Sequence, residues 1–324
     1  MVSPPRLEQR ETLGPVPSAP IVILTGPTAA GKSQLAADLA AEHGQIEIVN
    51  ADSILVYRGF NIGSAKPDAT ERRGVPHHLI DVRDPSEAFT AGDFVRDCER
   101  LLSEIATRGK RVLIVGGTGF YLKALLFGLW EVAKADPELR KRVEARTTRE
   151  LYDQLYAVDQ EAALRISLGD RYRLVRAVEI WESTGKTPSS LEAEAERRGP
   201  DPRYQIWLVD RPAAELKNRI RTRTRQMLQN GFIEEVRSLS QNFPGARSLG
   251  AVGYAQVLEH LAGRTPAGRK VQPGLPGLED EIVLATQQLI KRQRTWFRSQ
   301  TQARRYELPA DEARLREDFW KVYK

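Results

Sequence analysis

The 324-residue chain contains a single cysteine, Cys98. One thiol excludes an intramolecular disulfide and a cysteine-based zinc cluster, and it suits a reducing compartment, so a cytoplasmic location is expected. No run approaches the roughly 18 apolar residues that a spanning helix requires, so no membrane partner is expected. Residues 1–20 lack the apolar segment of a signal peptide and are rich in proline; they read as a disordered leader. Internal repeats are absent. Two stretches stand out in the charge balance. Residues 217–225 and 291–305 carry basic side chains and no aspartate or glutamate, against a net charge of +6 and a pI near 9.4 for the whole chain. A solvated helix face would intersperse glutamates, so these stretches are candidates for phosphate contact.

What is present reads as an α/β protein. Ile21–Gly26, Ile46–Asp52, Arg111–Gly117 and Tyr204–Asp210 are short, near-continuous apolar runs separated by helical patterns. That alternation predicts a parallel sheet with helices on both faces. Between residues 131 and 203 only helical periodicity remains, opened by the Asp136-Pro137 cap signal. The expected organisation is a core of residues 21–130 and 204–309, a helical insert over 131–203, and a tail over 310–324. Residues 264–278, rich in proline and glycine, predict a surface loop.

Gly26-Pro27-Thr28-Ala29-Ala30-Gly31-Lys32-Ser33 matches G-x-x-x-x-G-K-[ST] between a strand and a helix. This is the phosphate-cradling loop: backbone N–H groups and a helix N-terminus converge on an anion, Lys32 adds a cation, and Ser33 is the candidate Mg²⁺ ligand. The fold is therefore expected to be P-loop NTPase-like. Yet the strand Arg111–Gly117 ends in Gly-Gly-Thr rather than in the aspartate that nucleotide hydrolases place there, which argues against an ordinary ATPase. The pair His77-His78 has no third ligand nearby, and adjacent strand residues point to opposite faces, so a structural role is expected rather than a metal site.

The phosphate loop, NADSILVYRGFNIGSAKP (Asn50–Pro67), VPHHLIDVRDP (Val75–Pro85), GGTGFYLKALL (Gly116–Leu126) and KRQRTWFR (Lys291–Arg298) occur in one order. In that order they resemble the tRNA dimethylallyltransferase (tRNA isopentenyltransferase) family, over about residues 21–309. The resemblance implies an enzyme that moves a dimethylallyl group from dimethylallyl diphosphate to N6 of the adenine at position 37, beside the anticodon. It implies Asp52 as general base, Thr118 as donor to the leaving oxygen, and Arg223, in an RxxxRxxxML pattern with Arg219, as diphosphate clamp. It implies tRNA contacts at Asp52, Ser53, Ile54, Leu55, Thr118, Arg140, Tyr172, Arg173, Leu174, Val175, Arg176, Gly253 and Tyr254, and in the basic segment at Lys291, Arg292, Arg294 and Arg298. The implied partners are the anticodon stem-loop of tRNA and dimethylallyl diphosphate, with Mg²⁺ as cofactor and the enzyme acting as a monomer. Two positions depart from the family pattern: Leu55 stands where glutamine is frequent, and Gly250 where a basic residue is frequent. The phosphate loop alone would also suit a small-metabolite kinase or an adenylate prenyltransferase. The former leaves the Gly-Gly-Thr strand end unexplained, and the latter has no need of the helical insert.

Overall fold

The structure is a computed structural model that describes residues 20–128, 136–264, 272–300 and 302–324. The leader lies outside these residues except for Pro20. Among them the chain forms two compact units: one from the segments up to Leu122 and from Pro202 onward, and one spanning Lys123–Asp201.

The first unit is built on a six-stranded sheet of order β3-β2-β4-β1-β5-β6, parallel throughout. Its strands are β1 (Ile21–Thr25), β2 (Ile46–Asn50), β3 (His77–His78), β4 (Arg111–Gly116), β5 (Tyr204–Asp210) and β6 (Arg304–Glu307). The four apolar runs of the sequence are the four central strands. Successive side chains of a strand point to opposite faces, and here both sets are buried. Val22, Leu24, Ile48, Leu113, Val115, Trp207 and Val209 share one cluster, while Ile23, Val112, Ile114, Ile206 and Leu208 are buried outside it. The sheet is thus covered on both faces, as the unbroken apolar runs require. The two edge strands escape sequence reading because they are short and polar. In β3, His78 Nε2 lies 2.6 Å from Glu47 Oε2 and His77 Nδ1 lies 2.8 Å from the Val75 carbonyl, so both histidines are engaged structurally.

α1 (Lys32–His43) and α2 (Ala91–Thr107) pack onto this sheet, and α3 (Gly119–Phe127) follows β4. α2 begins at a Thr90/Asp93 capping box and buries Phe94, Cys98, Leu101 and Ile105. Burial raises the Cys98 thiol well above its usual range, which leaves it inert.

The second unit is all helical: α4 (Pro137–Glu144), α5 (Thr148–Val158), α6 (Gln160–Arg165), α7 (Arg171–Thr184) and α8 (Pro188–Arg198). Asp136, Thr147, Asp159, Asp170 and Thr187 cap these helices with side-chain oxygens. The unit has its own core of Leu139, Val143, Leu151, Leu155, Leu174, Val175 and Val178.

After β5 the first unit continues with α9 (Ala213–Gln229), α10 (Phe232–Asn242), α11 (Tyr254–Leu261), α12 (Gly274–Ser299) and α13 (Glu312–Val322). Two expectations are corrected here. The predicted surface loop over 264–278 gives way to helix at Gly274, because Leu278, Ile282 and Val283 supply a buried stripe; residues 265–271 lie outside the described residues. The predicted tail is core: α13 inserts Leu315 and Phe319, with Tyr323 beside them, into the cluster of Trp207 and Tyr306. No helix of the described residues is long and apolar enough to cross a membrane.

Candidate active site

The carboxyl ends of β1, β2 and β4 open onto a cleft of about 620 Å³ in the first unit. Parallel sheets place ligands at this edge, where loops diverge and helix N-termini point inward.

One wall is the phosphate loop. Gly26 adopts φ +150°, and a Cβ there would fall 1.9 Å from the Val209 carbonyl, so the loop leaves β1 along a path open only to glycine. α1 starts at Gly31 with no side-chain cap, which leaves the N–H groups of its first turn free for an anion. Three long side chains hold the loop. Arg211 Nε and Arg219 Nε donate to the carbonyls of Ala30 and Ala29, each at 2.8 Å, and Gln293 Oε1 accepts from the Thr28 N–H at 3.0 Å.

Lys32 and Arg223 both line the cleft. Lys32 Nζ donates to the Pro27 carbonyl at 2.8 Å. Burial, opposed by the carboxylates of Asp52 and Asp210 and reinforced by Arg223, pushes its ammonium down to about 8. Arg223 Nη2 donates to the Ser64 carbonyl at 3.2 Å, and burial lowers its guanidinium below the usual range. Two cations desolvated around one cleft favour an anion that restores their charge balance. Arg219, one turn before Arg223 on α9, also lines the cleft.

The lining also carries the acid. Asp52 follows β2, and its Oδ1 accepts from the N–H groups of Ile54 (2.8 Å) and Leu55 (3.4 Å). The other oxygen, Oδ2, takes no hydrogen bond from the described residues. Thr118 stands beside it in the fold: its Oγ1 accepts from the Ser53 N–H at 3.0 Å, and its own N–H donates to the Ala51 carbonyl at 3.3 Å. The hydroxyl proton of Thr118 therefore remains available to a ligand oxygen. Thr118 also opens α3 by accepting from the N–H groups of Tyr121 and Leu122 through its carbonyl. Ile54, Leu55, Met227, Ile282 and Leu289 add apolar lining.

Glu235 was not singled out in the sequence, yet it organises the segment after Phe60. Its carboxylate accepts from three successive N–H groups, those of Asn61, Ile62 and Gly63, and from the Tyr254 hydroxyl at 2.8 Å. Tyr254 is 1% exposed between Phe60 and Phe232, and burial beside Glu235 raises its phenol well above the usual range.

Among the described residues no group of three or more His, Cys, Asp or Glu side chains could cage a metal. Oxygen donors among the cleft-lining residues include the Ser33 hydroxyl and the Asp52 and Glu71 carboxylates. One or two hard oxygens, with the remaining ligands from phosphate and water, is the donor set that suits Mg²⁺.

The basic stretches look different in three dimensions. In residues 217–225, Arg221 and Arg225 pair with Glu279, and Arg221 also with Asp280, so acid absent locally is supplied by α12. In α12, Arg294 grips Asp210 with two bonds of 3.0 and 2.8 Å and also donates to the Arg211 carbonyl, a structural engagement rather than a free charge. Lys291, Arg292 and Arg298 are exposed, Phe297 is buried, and Trp296 packs over Gly119.

In the helical unit, Arg140 and Arg176 share Glu179, and Arg173 pairs with Asp170. Tyr172 is 55% exposed with the Arg140 guanidinium over its ring. Leu174 and Val175 correct an expectation: they are 0% and 3% exposed, because this face of α7 is the unit's core, and their side chains do not reach a ligand. Gly253, at φ +94°, precedes α11.

A family model described as IPP transferase matches residues 55–300. The tRNA dimethylallyltransferase of Methylococcus capsulatus is 44% identical over 296 residues, 88% of this chain and 91% of that one. The crystal structure of the full-length tRNA isopentenylpyrophosphate transferase of Bacillus halodurans superimposes with a TM-score of 0.66 at 30% identity, covering 94% of this chain and 97% of that chain. A eukaryotic dimethylallyltransferase captured acting on tRNA shares the fold, with a TM-score of 0.75 at 24% identity over 90% of this chain and 74% of that chain.

Proposed function

The chain belongs to the IPP transferase family of tRNA dimethylallyltransferases, and from that premise we propose how its own residues carry the reaction and which atom of the tRNA accepts the prenyl group. The enzyme transfers a dimethylallyl group to tRNA. The acceptor is N6 of the adenine next to the anticodon, and the donor is dimethylallyl diphosphate.

The observation that carries this reading is that a phosphate cradle, two cations and a carboxylate share one cleft. An uncapped helix N-terminus, Lys32 and Arg223 line the same cleft as Asp52, whose Oδ2 takes no hydrogen bond from the described residues. The donor's diphosphate occupies the phosphate loop and its C1 points toward Asp52. N6 attacks C1, the C1–O bond breaks with its electron pair leaving on diphosphate, and the N6 proton passes to Asp52 Oδ2. Thr118 donates its hydroxyl proton in a hydrogen bond to the departing oxygen, while Lys32, Arg223 and Arg219 offset the charge that develops there. Ser33 would hold Mg²⁺, which when bound supplies further positive charge to the leaving diphosphate.

The adenine must leave its stack to reach this cleft, at a cost of a few kcal/mol. Phosphate contacts offset that cost and orient the stem. The exposed cations of α12, Lys291, Arg292 and Arg298, together with Tyr172, Arg173, Arg140 and Arg176 of the helical unit, are assigned to the anticodon stem-loop. The enzyme acts as a cytoplasmic monomer. Incubation with labelled dimethylallyl diphosphate and, separately, tRNA, AMP or ATP tests the reading. Label entering tRNA alone supports it, and label entering AMP or ATP rejects it.

A further inference from the structure

Gln293 of α12 makes two hydrogen bonds, one to each loop that carries a reacting group's support. Its Oε1 accepts from the Thr28 N–H of the phosphate loop at 3.0 Å, and its Nε2 donates to the Gly117 carbonyl at 3.1 Å. Both partners are backbone groups of fixed polarity, so the amide has one orientation that satisfies them. Gly117 directly precedes Thr118. The β1–β4 ladder ends at the Thr25–Gly116 pair. Beyond that pair, no backbone hydrogen bond outside helices and strands joins the two loops among the described residues. The amide spans the gap where the ladder stops.

The approach is close. A Cβ at residue 117 would lie 2.9 Å from Gln293 Nε2 and 3.2 Å from the Gly26 carbonyl oxygen, so glycine is what admits the bridge. Three residues further along α12, Trp296 covers Gly119, and a Cβ there would lie 2.9 Å from the indole. Positions three apart share a helix face, so one face of α12 contacts the residues on both sides of Thr118. Thr118 in turn accepts from Ser53 beside Asp52. A continuous path of hydrogen bonds and single peptide links thus runs from Thr28 through Gln293, Gly117 and Thr118 to the turn that holds Asp52.

We propose that Gln293 is a positioning residue for the transfer step: it sets the separation between the diphosphate cradle and the Thr118 hydroxyl. This rests on the reading of Thr118 as donor to the departing oxygen. A donor acts only when it is held near 3 Å from the oxygen on which charge develops, and a misplacement of about 1 Å costs roughly 100-fold in rate. Gln293 touches neither reacting atom. It acts through the two loops it ties.

The test is a double-mutant cycle on the full chain with labelled dimethylallyl diphosphate and tRNA. Gln293→Met keeps the length of the side chain and removes both polar contacts. It is expected to lower kcat roughly 10- to 100-fold while tRNA Kd stays within about threefold of the wild type. In a Thr118→Val background the same change is expected to cost less than about threefold, because the separation ceases to matter once the hydroxyl is gone. A merely structural role would give losses that multiply in the double variant, and that outcome overturns the assignment. Unchanged kcat, or a loss confined to tRNA affinity or to donor KM, overturns it equally. If the Met variant melts early, Gln293→Glu enters the same cycle with the same expectation, since it keeps the acceptor for Thr28 and sets a carboxylate against the Gly117 carbonyl. Wild-type enzyme that transfers no label to tRNA would instead fail the functional reading on which this inference rests.

Discussion

Asp52 has one oxygen bonded to its own turn and one without a hydrogen bond from the described residues, and that division decides how its proposed role as base should be tested. Oδ1 holds the turn through Ile54 and Leu55, so an alanine would disturb geometry as well as remove the base. Asp52→Asn keeps an acceptor for the turn and removes the basic oxygen. It is expected to lower single-turnover rate by about 10²–10⁴, the range for loss of a general base, with donor and tRNA affinities within a few-fold. A rate within threefold of the wild type would take Asp52 out of the proton transfer. Lys32 supplies a pH test. Burial brings its ammonium down to about 8, so the free enzyme loses this positive charge as pH rises through that value. Diphosphate binds the protonated form better, and binding in turn favours the proton. The donor KM is therefore expected to be flat below about pH 7 and to rise above pH 8, with kcat unchanged over the same interval. A KM that falls with rising pH would contradict the placement of Lys32 on the diphosphate.

Helices α10 and α12 carry consequences that no single site residue does. Glu235, on α10, accepts from three consecutive backbone N–H groups and from Tyr254, which fastens residues 61–63 to this helix. Removing a carboxylate that satisfies partly buried donors costs about 1–3 kcal/mol. Glu235→Ala should therefore lower the melting temperature and raise donor KM together, since Gly63, Ser64 and Tyr254 line the cleft. A lowered melting temperature with an unmoved KM would separate this segment from donor binding. On α12 the exposed cations are Lys291, Arg292 and Arg298, while Arg294 is committed to Asp210. If the exposed ones neutralise RNA phosphates, replacing Arg292 and Arg298 by alanine should reduce the slope of log K against log[salt] by roughly 1 to 1.5, at about 0.7 per contact. The chemical step at saturating tRNA should be unaffected. An unaltered slope in a well-folded double variant would shift the RNA contact to Arg173, Arg176 and Arg140.

The molecule as a whole consists of two units with separate cores; donor binding is assigned to the first alone, and tRNA contacts to side chains of each. The cleft proposed for the donor is lined by residues of the first unit alone. Leu155 is fully buried in the core of the helical unit. Leu155→Ala should destabilise that unit by about 2–5 kcal/mol, the usual cost of such a cavity. Hydrogen exchange should then quicken within Lys123–Asp201 and tRNA affinity should fall, while equilibrium binding of dimethylallyl diphosphate is retained. Loss of donor binding in step with tRNA binding would argue that the two units do not divide the substrates in this way.

What the sequence by itself determined about this protein was local and periodic. The apolar runs specified the four central strands, because burial on both faces leaves no polar alternation to confuse them. The phosphate loop was legible because its glycines, lysine and serine act at fixed spacing between a strand and a helix. The order of several long motifs identified the family. Only the tertiary structure decided which charges are free. Arg294 and Arg221 look alike as letters in basic stretches, yet Asp210, Glu279 and Asp280 occupy them from distant segments. The same holds for the edge strands, whose polar residues pair only because β2 and β5 are already in place, and for α13, whose stripe of Leu315 and Phe319 needs Trp207 to pack against. Glu235 and Gln293 belong to this class too. Apart from the Tyr254 hydroxyl on Glu235, their partners are backbone groups 172–174 residues away for Glu235 and 176 and 265 residues away for Gln293, and a main-chain N–H or carbonyl leaves no mark on the side-chain sequence that would reveal it.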